Sequence, residues 1–166
     1  MSSSAAVRLS SDEINQRLKS MNLTLPEAKA PPGALYVPYT VSGNQVIVSG
    51  QLPFKDGALS HTGKLGKNVS QEQGQEAAKV CAINVLSCLN SAVNGNLSRV
   101  KKVLKLEVLV AVTPEFTSPQ LVANGASKLF IDLFGEEIGK HARVAYGVAT
   151  LPLDAAVEVA AIFEIA

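Results

Sequence analysis

Arg143 heads a segment, His141 to Ala166, that is otherwise apolar and strand-forming, and no other residue of the chain is so well suited to chemistry. A guanidinium keeps its charge at any physiological pH and presents a rigid fork of donors that grips a carboxylate with two parallel hydrogen bonds. From pattern alone the competing reading is a strand-end surface arginine, or half of an ion pair at a subunit contact. Glu158 lies on the strand that follows. A carboxylate shielded from water acquires a raised pKa and suits the handling of a proton. On an alternating strand its default role is a solvated or cross-strand charge, and simple hairpin register does not bring it beside Arg143.

Other chemistries find little in the sequence. His61 and His141 stand alone in polar segments and are expected to face solvent. Cys81 and Cys88 lie seven apart in an Ala-rich helical pattern, on one helix face, and read as reduced core thiols with no disulfide or metal role. Between Gly57 and Gly63-Lys64 there are five residues where a phosphate loop has four, and Leu65 replaces the hydroxyl that holds magnesium. The basic cluster Arg99, Lys101, Lys102 and Lys105 contains no stacking aromatic and alternates with Val100, Val103 and Leu104, which suits a solvated strand entrance and argues against nucleic acid as a partner. With 15 basic against 14 acidic residues the net charge is +1, too little to steer the chain onto nucleic acid or an anionic membrane. No apolar run reaches membrane-spanning length, and Met1 to Ser11 lacks the apolar core of a secretory leader, so the cytoplasm is the expected compartment. A small molecule is the ligand these totals leave.

The elements that must place Arg143 follow from caps and periodicity. At 166 residues and 47% hydrophobic content the chain can bury one core without staples. Ser10 with Glu13 forms a capping box for a short helix over Ser11 to Met21, and Pro26, Pro31, Pro32 and Gly33 enforce a connector; residues 1–32 are thus an extension and 33–166 the main domain. Tyr36 to Val41 and Gln45 to Ser49 flank a Ser42-Gly43-Asn44 turn, the pattern of a hairpin. Gly50 to Asn68 reads as an exposed loop turning at Lys55-Asp56-Gly57. Ser70 with Gln73 opens a helix over Gln71 to Val93, with a stripe of Ala78, Cys81, Ala82, Val85, Leu89 and Ala92, closed by Asn94-Gly95-Asn96. Lys102 to Val112 is a strand whose even positions form the buried face, and Leu121 to Phe134 is a second long helix ending at Gly135. Arg143 to Thr150 and Val157 to Ile165 are expected to form a closing hairpin across Leu151-Pro152-Leu153-Asp154. Two long helices against one sheet, plus the short N-terminal helix, make an α+β two-layer domain.

In this order the pieces resemble the RidA family, also called YjgF and long labelled endoribonuclease L-PSP, in a longer and poorly characterised branch. The resemblance spans about Gly33 to Ile165. It is carried by Tyr36, by Ser42-Gly43-Asn44-Gln45-Val46-Ile47-Val48-Ser49-Gly50-Gln51-Leu52-Pro53, by the Asn124 region, and by His141-Ala142-Arg143-Val144-Ala145-Tyr146-Gly147-Val148-Ala149-Thr150-Leu151-Pro152 with Val157-Glu158-Val159. It implies a chorismate-mutase-like fold with a mixed sheet, a homotrimer with a cleft at each subunit boundary built round Arg143, and no cofactor. Tyr36, Asn124 and Glu158 fall where the family places other cleft residues, and Gly50 falls in the lining segment. From residue pattern alone Tyr36 is a half-buried strand aromatic and Asn124 a helix-surface or capping residue.

The reaction the resemblance implies is hydrolysis of reactive 2-imino acids to 2-keto acids and ammonia. Arg143 would hold the carboxylate and so present the neighbouring C=N carbon to a water that Glu158 activates. A second reading is a module that senses a keto or amino acid without turnover. A ribonuclease, after the old label, has the least chemical support, since neither a histidine pair nor an acidic metal cluster is evident. The chain departs from the family pattern at His141, commonly Pro or Ala, at Ala145, a cysteine in the deaminase archetype, and at Gly147, an acidic residue there. Residues 1–32 and the Gly57–Ser70 loop have no counterpart in the compact archetype.

Overall fold

A computed structural model of the chain describes residues 7–166. The leader reading of Met1 to Ser11 and the start of the 1–32 extension rest in part on residues 1–6, outside the described ones. Three helices, α1 (Ser11–Ser20), α2 (Gln71–Ala92) and α3 (Pro119–Gly139), pack against one face of a five-stranded sheet. Its strands are β1 (Tyr39–Ser42), β2 (Gln45–Gln51), β5 (Val100–Ala111), β6 (Ala142–Val148) and β7 (Val157–Ile165), in the order β1-β2-β7-β5-β6. Only β5 and β6 pair in parallel, so the sheet is mixed, as expected of the α+β class.

Local signals placed most ends correctly. Ser10–Glu13 and Ser70–Gln73 both close capping boxes, and Asn94 (φ 54°) and Gly95 (φ 80°) take the left-handed conformation that stops α2. In the β1–β2 turn only Gly43 has positive φ. Tyr36 stands before β1, which begins at Tyr39, and its ring is exposed.

Three expectations change. The closing hairpin does not form: β6 and β7 lie on opposite sides of β5. The chain leaves β5, runs through α3 and returns beside β5 in parallel, so the crossover fixes β6 as an edge strand. Burial agrees, since β6 has no buried residue whereas β7 alternates buried and half-buried along its whole length, the pattern of an interior strand. On β5 the even-residue rule fails at its start. A register shift between Val103 and Lys105 makes Val103 buried and Leu104 only half-buried, while Leu106, Val108 and Val110 keep the expected face.

The third change is the Gly50–Asn68 loop, which is not simply exposed. Asp56 and Gly57, both with positive φ, turn a small hairpin of β3 (Phe54–Lys55) and β4 (Ala58–Leu59). The following run is strapped across the sheet end by Gly63 N donating to Asp154 O (2.8 Å), Leu65 N to Ala111 O (2.9 Å) and Thr113 N to Leu65 O (2.9 Å), with Leu65 fully buried.

The core lies between sheet and helices, where Phe130 of α3 meets Phe163 of β7 with ring centroids 5.6 Å apart. Cys81 and Cys88 are free and buried, and burial, with the Glu158 charge second, pushes the Cys81 thiol well up, as befits an inert core thiol. Helix α1 joins the same core through Ile14 and is tied to α3 by Arg17 Nη1 donating to Leu133 O (2.9 Å). Helices α2 and α3 approach so closely at Gly125 that a Cβ there would lie 2.0 Å from the Gln75 carbonyl oxygen. Gly125→Ala is therefore expected to destabilise the fold by about 1–3 kcal/mol, measured by chemical denaturation, because backbone must move to admit the methyl.

Candidate functional site

Arg143 points to the helix side of the sheet. It shares a cross-strand row with Leu106 and Ala161, both core residues, but on the edge strand its side chain meets the start of α3 instead of the core. There Nη1 donates to Asn124 Oδ1 (2.8 Å) and Ser127 Oγ (3.1 Å), and Nη2 donates to the Gln120 carbonyl oxygen (3.1 Å). Gln120, Asn124 and Ser127 stand at i, i+4 and i+7 and so form one polar stripe on α3, which also carries Lys128, Asp132, Glu136 and Glu137. A guanidinium has five N–H donors, and these bonds use three. Nε–H and one Nη2–H have no partner among the described residues, and the group is part-exposed. Partial burial draws its pKa below the usual arginine value, which still leaves it charged at neutral pH.

Glu158 sits elsewhere. It pairs in register with Leu109, which pairs with Tyr146, so these three share the sheet face turned away from the helices. Where β2 leaves register with β7, between Val48 and Gln51, one extra residue bulges and brings Gly50 against the Glu158 carboxylate. A Cβ on Gly50 would lie 2.2 Å from Glu158 Oε1. Both residues line a cavity of about 930 Å³ with Tyr36, Asn84, the segment Pro26–Pro32, and Pro152-Leu153. Burial raises the Glu158 carboxyl above its ordinary value. Asn84 fixes one wall by donating from Nδ2 to Leu52 O (2.9 Å) and Phe54 O (3.0 Å). Gly50→Ala is expected to push the Glu158 carboxylate out of place while leaving the melting temperature near wild type; a crystal structure of the variant and its thermal unfolding check it.

The proposed residues thus divide into two groups. Arg143 and Asn124 are brought together; Tyr36, Gly50 and Glu158 are brought together; the cavity lining does not include Arg143. Sequence reasoning missed Ser127 and Gln120, whose signal was the polar stripe, and it misplaced His141. That ring is not solvent-facing but half-buried, with Nε2 2.9 Å from Ser127 Oγ and Nδ1 2.7 Å from Gly139 O. Among the described residues the His61 side chain hydrogen-bonds only to its neighbour Ser60, with Nδ1 3.0 Å from Oγ. The basic cluster is largely engaged: Arg99 donates twice to Ala166 O, Lys101 lies 3.8 Å from Glu164, Lys102 Nζ donates to Glu137 O and Lys105 lies 4.0 Å from Glu107. Among the described residues no three His, Cys, Asp or Glu side chains converge, and no helix is long and apolar enough to cross a membrane.

Comparison with known proteins gives one family. The family model described as "YjgF/chorismate mutase-like, putative endoribonuclease" matches residues 15–165. Protein TCP17 of Trypanosoma cruzi is 47% identical over 157 residues, covering 95% of this chain and 97% of that one. The crystal structure of Atu1372 from Agrobacterium tumefaciens, a protein of unknown function, superposes with a TM-score of 0.87 at 47% identity, covering 94% of each chain. The YjgF gene product of E. coli shares the fold at 23% identity and a TM-score of 0.60, over 83% of this chain and 93% of its own.

Proposed function

Because the chain belongs to the YjgF/chorismate-mutase-like family, we propose that it hydrolyses reactive 2-imino acids to 2-oxo acids and ammonia at a cleft completed between copies of the chain. The observation that carries this reading is the Arg143 fork. Three of its donors are anchored on α3 and two remain to receive the paired oxygens of a carboxylate. A carboxylate so held sets the adjacent C=N carbon in a fixed place without the arginine joining any bond making. Water adds to that carbon while Glu158 takes one of its protons and passes it to the imine nitrogen, giving a carbinolamine; the carbinolamine hydroxyl then yields its proton through the same carboxylate to the amine, and ammonia leaves as the carbonyl forms. Burial, which raises the Glu158 carboxyl above its ordinary value, suits a group that takes up and returns a proton.

Within one chain Arg143 and Glu158 lie on different faces and different strands. A homotrimer supplies the missing proximity by placing the β6 edge of one copy beside the Tyr36–Gly50–Glu158 cavity of the next. The outward sheet face supports such an assembly, for it exposes Ile47, Val144 and Tyr146 beside the half-buried Leu109, Ala160 and Ile162. The cavity is far roomier than a four-carbon acid requires, so longer substrate side chains also fit.

The test pairs catalysis with assembly. Imino acids generated in situ from alanine or 2-aminobutanoate by an amino-acid oxidase are expected to break down faster in the presence of the protein, and light scattering is expected to give a trimer. A monomer at assay concentration would overturn the shared cleft. Binding of 2-oxobutanoate without any acceleration would establish a sensor instead, and RNA cleavage lost with Arg143→Ala would establish a ribonuclease.

A further inference from the structure

We propose that His141, acting through Ser127, is a positioning residue that locks the orientation of the Arg143 fork; the functional consequence rests on the carboxylate-binding reading above. The Gly139 carbonyl can only accept, so the 2.7 Å contact assigns the proton to His141 Nδ1. Nε2 then carries a lone pair, and at 2.9 Å it accepts the Ser127 hydroxyl proton. With its hydrogen so directed, Ser127 Oγ turns a lone pair to Arg143 Nη1 at 3.1 Å. The chain of donors runs one way, from Arg143 to Ser127 to His141 to the Gly139 backbone. Each link removes a rotational choice from the one before it: the backbone fixes the ring, the ring fixes the hydroxyl, and the hydroxyl fixes one side of the fork.

The relay requires a neutral imidazole. Burial lowers the His141 pKa, the Gly139 hydrogen bond opposes this, and the charges of Arg143 and Lys102 lower it further, so the ring is neutral at neutral pH. Gly139 itself is placed by packing, since a Cβ there would lie 2.5 Å from Phe130 O. The relay therefore ends on a rigid turn. Asn124, on the other Nη1 hydrogen, is not part of it, so His141 and Ser127 form a separate unit with its own signature.

Ligand-free nuclear magnetic resonance of the full chain tests the relay directly. Ring nitrogen shifts should report His141 as the Nδ1–H tautomer, and guanidinium rotation at Arg143 should be slow in wild type and faster in both Ser127→Ala and His141→Ala. His141→Gln, which returns an acceptor near the Nε2 position, should slow it again. An Nε2–H tautomer, or a rotation rate indifferent to His141→Ala, overturns the proposal whether or not any acid binds. With 2-oxobutanoate as probe, each alanine variant should weaken binding about three- to tenfold, and the double variant no more than Ser127→Ala alone, because the two residues act as one unit. Additive losses overturn the relay, whereas wild type failing to bind 2-oxo acids overturns the carboxylate reading and leaves the rotation result to judge the relay.

Discussion

Arg143→Ala is expected to lower kcat/KM for 2-imino acids by at least about 100-fold and to remove detectable binding of 2-oxobutanoate. The size follows from what the fork does. It sets a fixed positive charge against the α3 stripe, and among the described residues two of its donors are free to meet both oxygens of a carboxylate. Without it the substrate can still enter the cavity but has no fixed approach to Glu158. The fold should tolerate the loss, because Asn124 and Ser127 lie at a part-exposed edge where water replaces the guanidinium, so the melting temperature should move little. Arg143→Lys keeps the charge and still fails in part: one ammonium cannot reach Asn124, Ser127 and the Gln120 carbonyl while pairing with two carboxylate oxygens. Steady-state kinetics of the two variants beside wild type decide the matter, and wild-type rates in Arg143→Ala would end the proposal.

The sequence made local structure readable wherever a few neighbouring residues decide it. Ser10 and Ser70 cap helices through partners three residues on, and Asn94-Gly95 ends α2 by backbone conformation, so both were visible before any tertiary contact. The β6–β7 hairpin was misread because strand neighbours are chosen by the whole sheet. A short link between two apolar runs looks like a turn, yet the β5–α3–β6 crossover had already placed β6 at the edge and left the interior position for β7. Leu104 was assigned to the wrong face because a bulge leaves no mark in an alternation of apolar residues. At the site, Arg143 stood out by chemical contrast with its apolar strand. Ser127 did not, since a serine on a helix is unremarkable until a strand brings an arginine against it. His141 was hidden for the same reason: its two partners, both on α3, are fourteen and two residues away, and only the chain reversal between α3 and β6 brings both within reach.

Glu158→Gln separates catalysis from stability, because the two should move in opposite directions. In the proposed reaction Glu158 accepts the water proton in its ionised form, so wild-type kcat/KM should rise with pH through a pKa above the ordinary 4.5, the direction in which burial shifts it. Glutamine keeps the shape and cannot take the proton, so kcat should fall about 10²- to 10⁴-fold and that limb of the profile should vanish. The stability sign follows from linkage. A carboxyl whose pKa is raised on folding binds its proton more tightly in the native state, so the stabilisation is complete below 4.5 and is lost as pH rises through the higher folded value. At neutral pH the ionised, half-buried carboxylate therefore costs stability, and Gly50, pressed against it without a side chain, leaves no room for a compensating partner on that side. Glu158→Gln should melt at or above the wild-type temperature at pH 7, with the difference shrinking as pH falls to 4. A variant that melts lower at pH 7 than at pH 4, relative to wild type, would mean that the carboxylate is held by a partner in the assembly and serves as structure, and the catalytic role would then pass to another group.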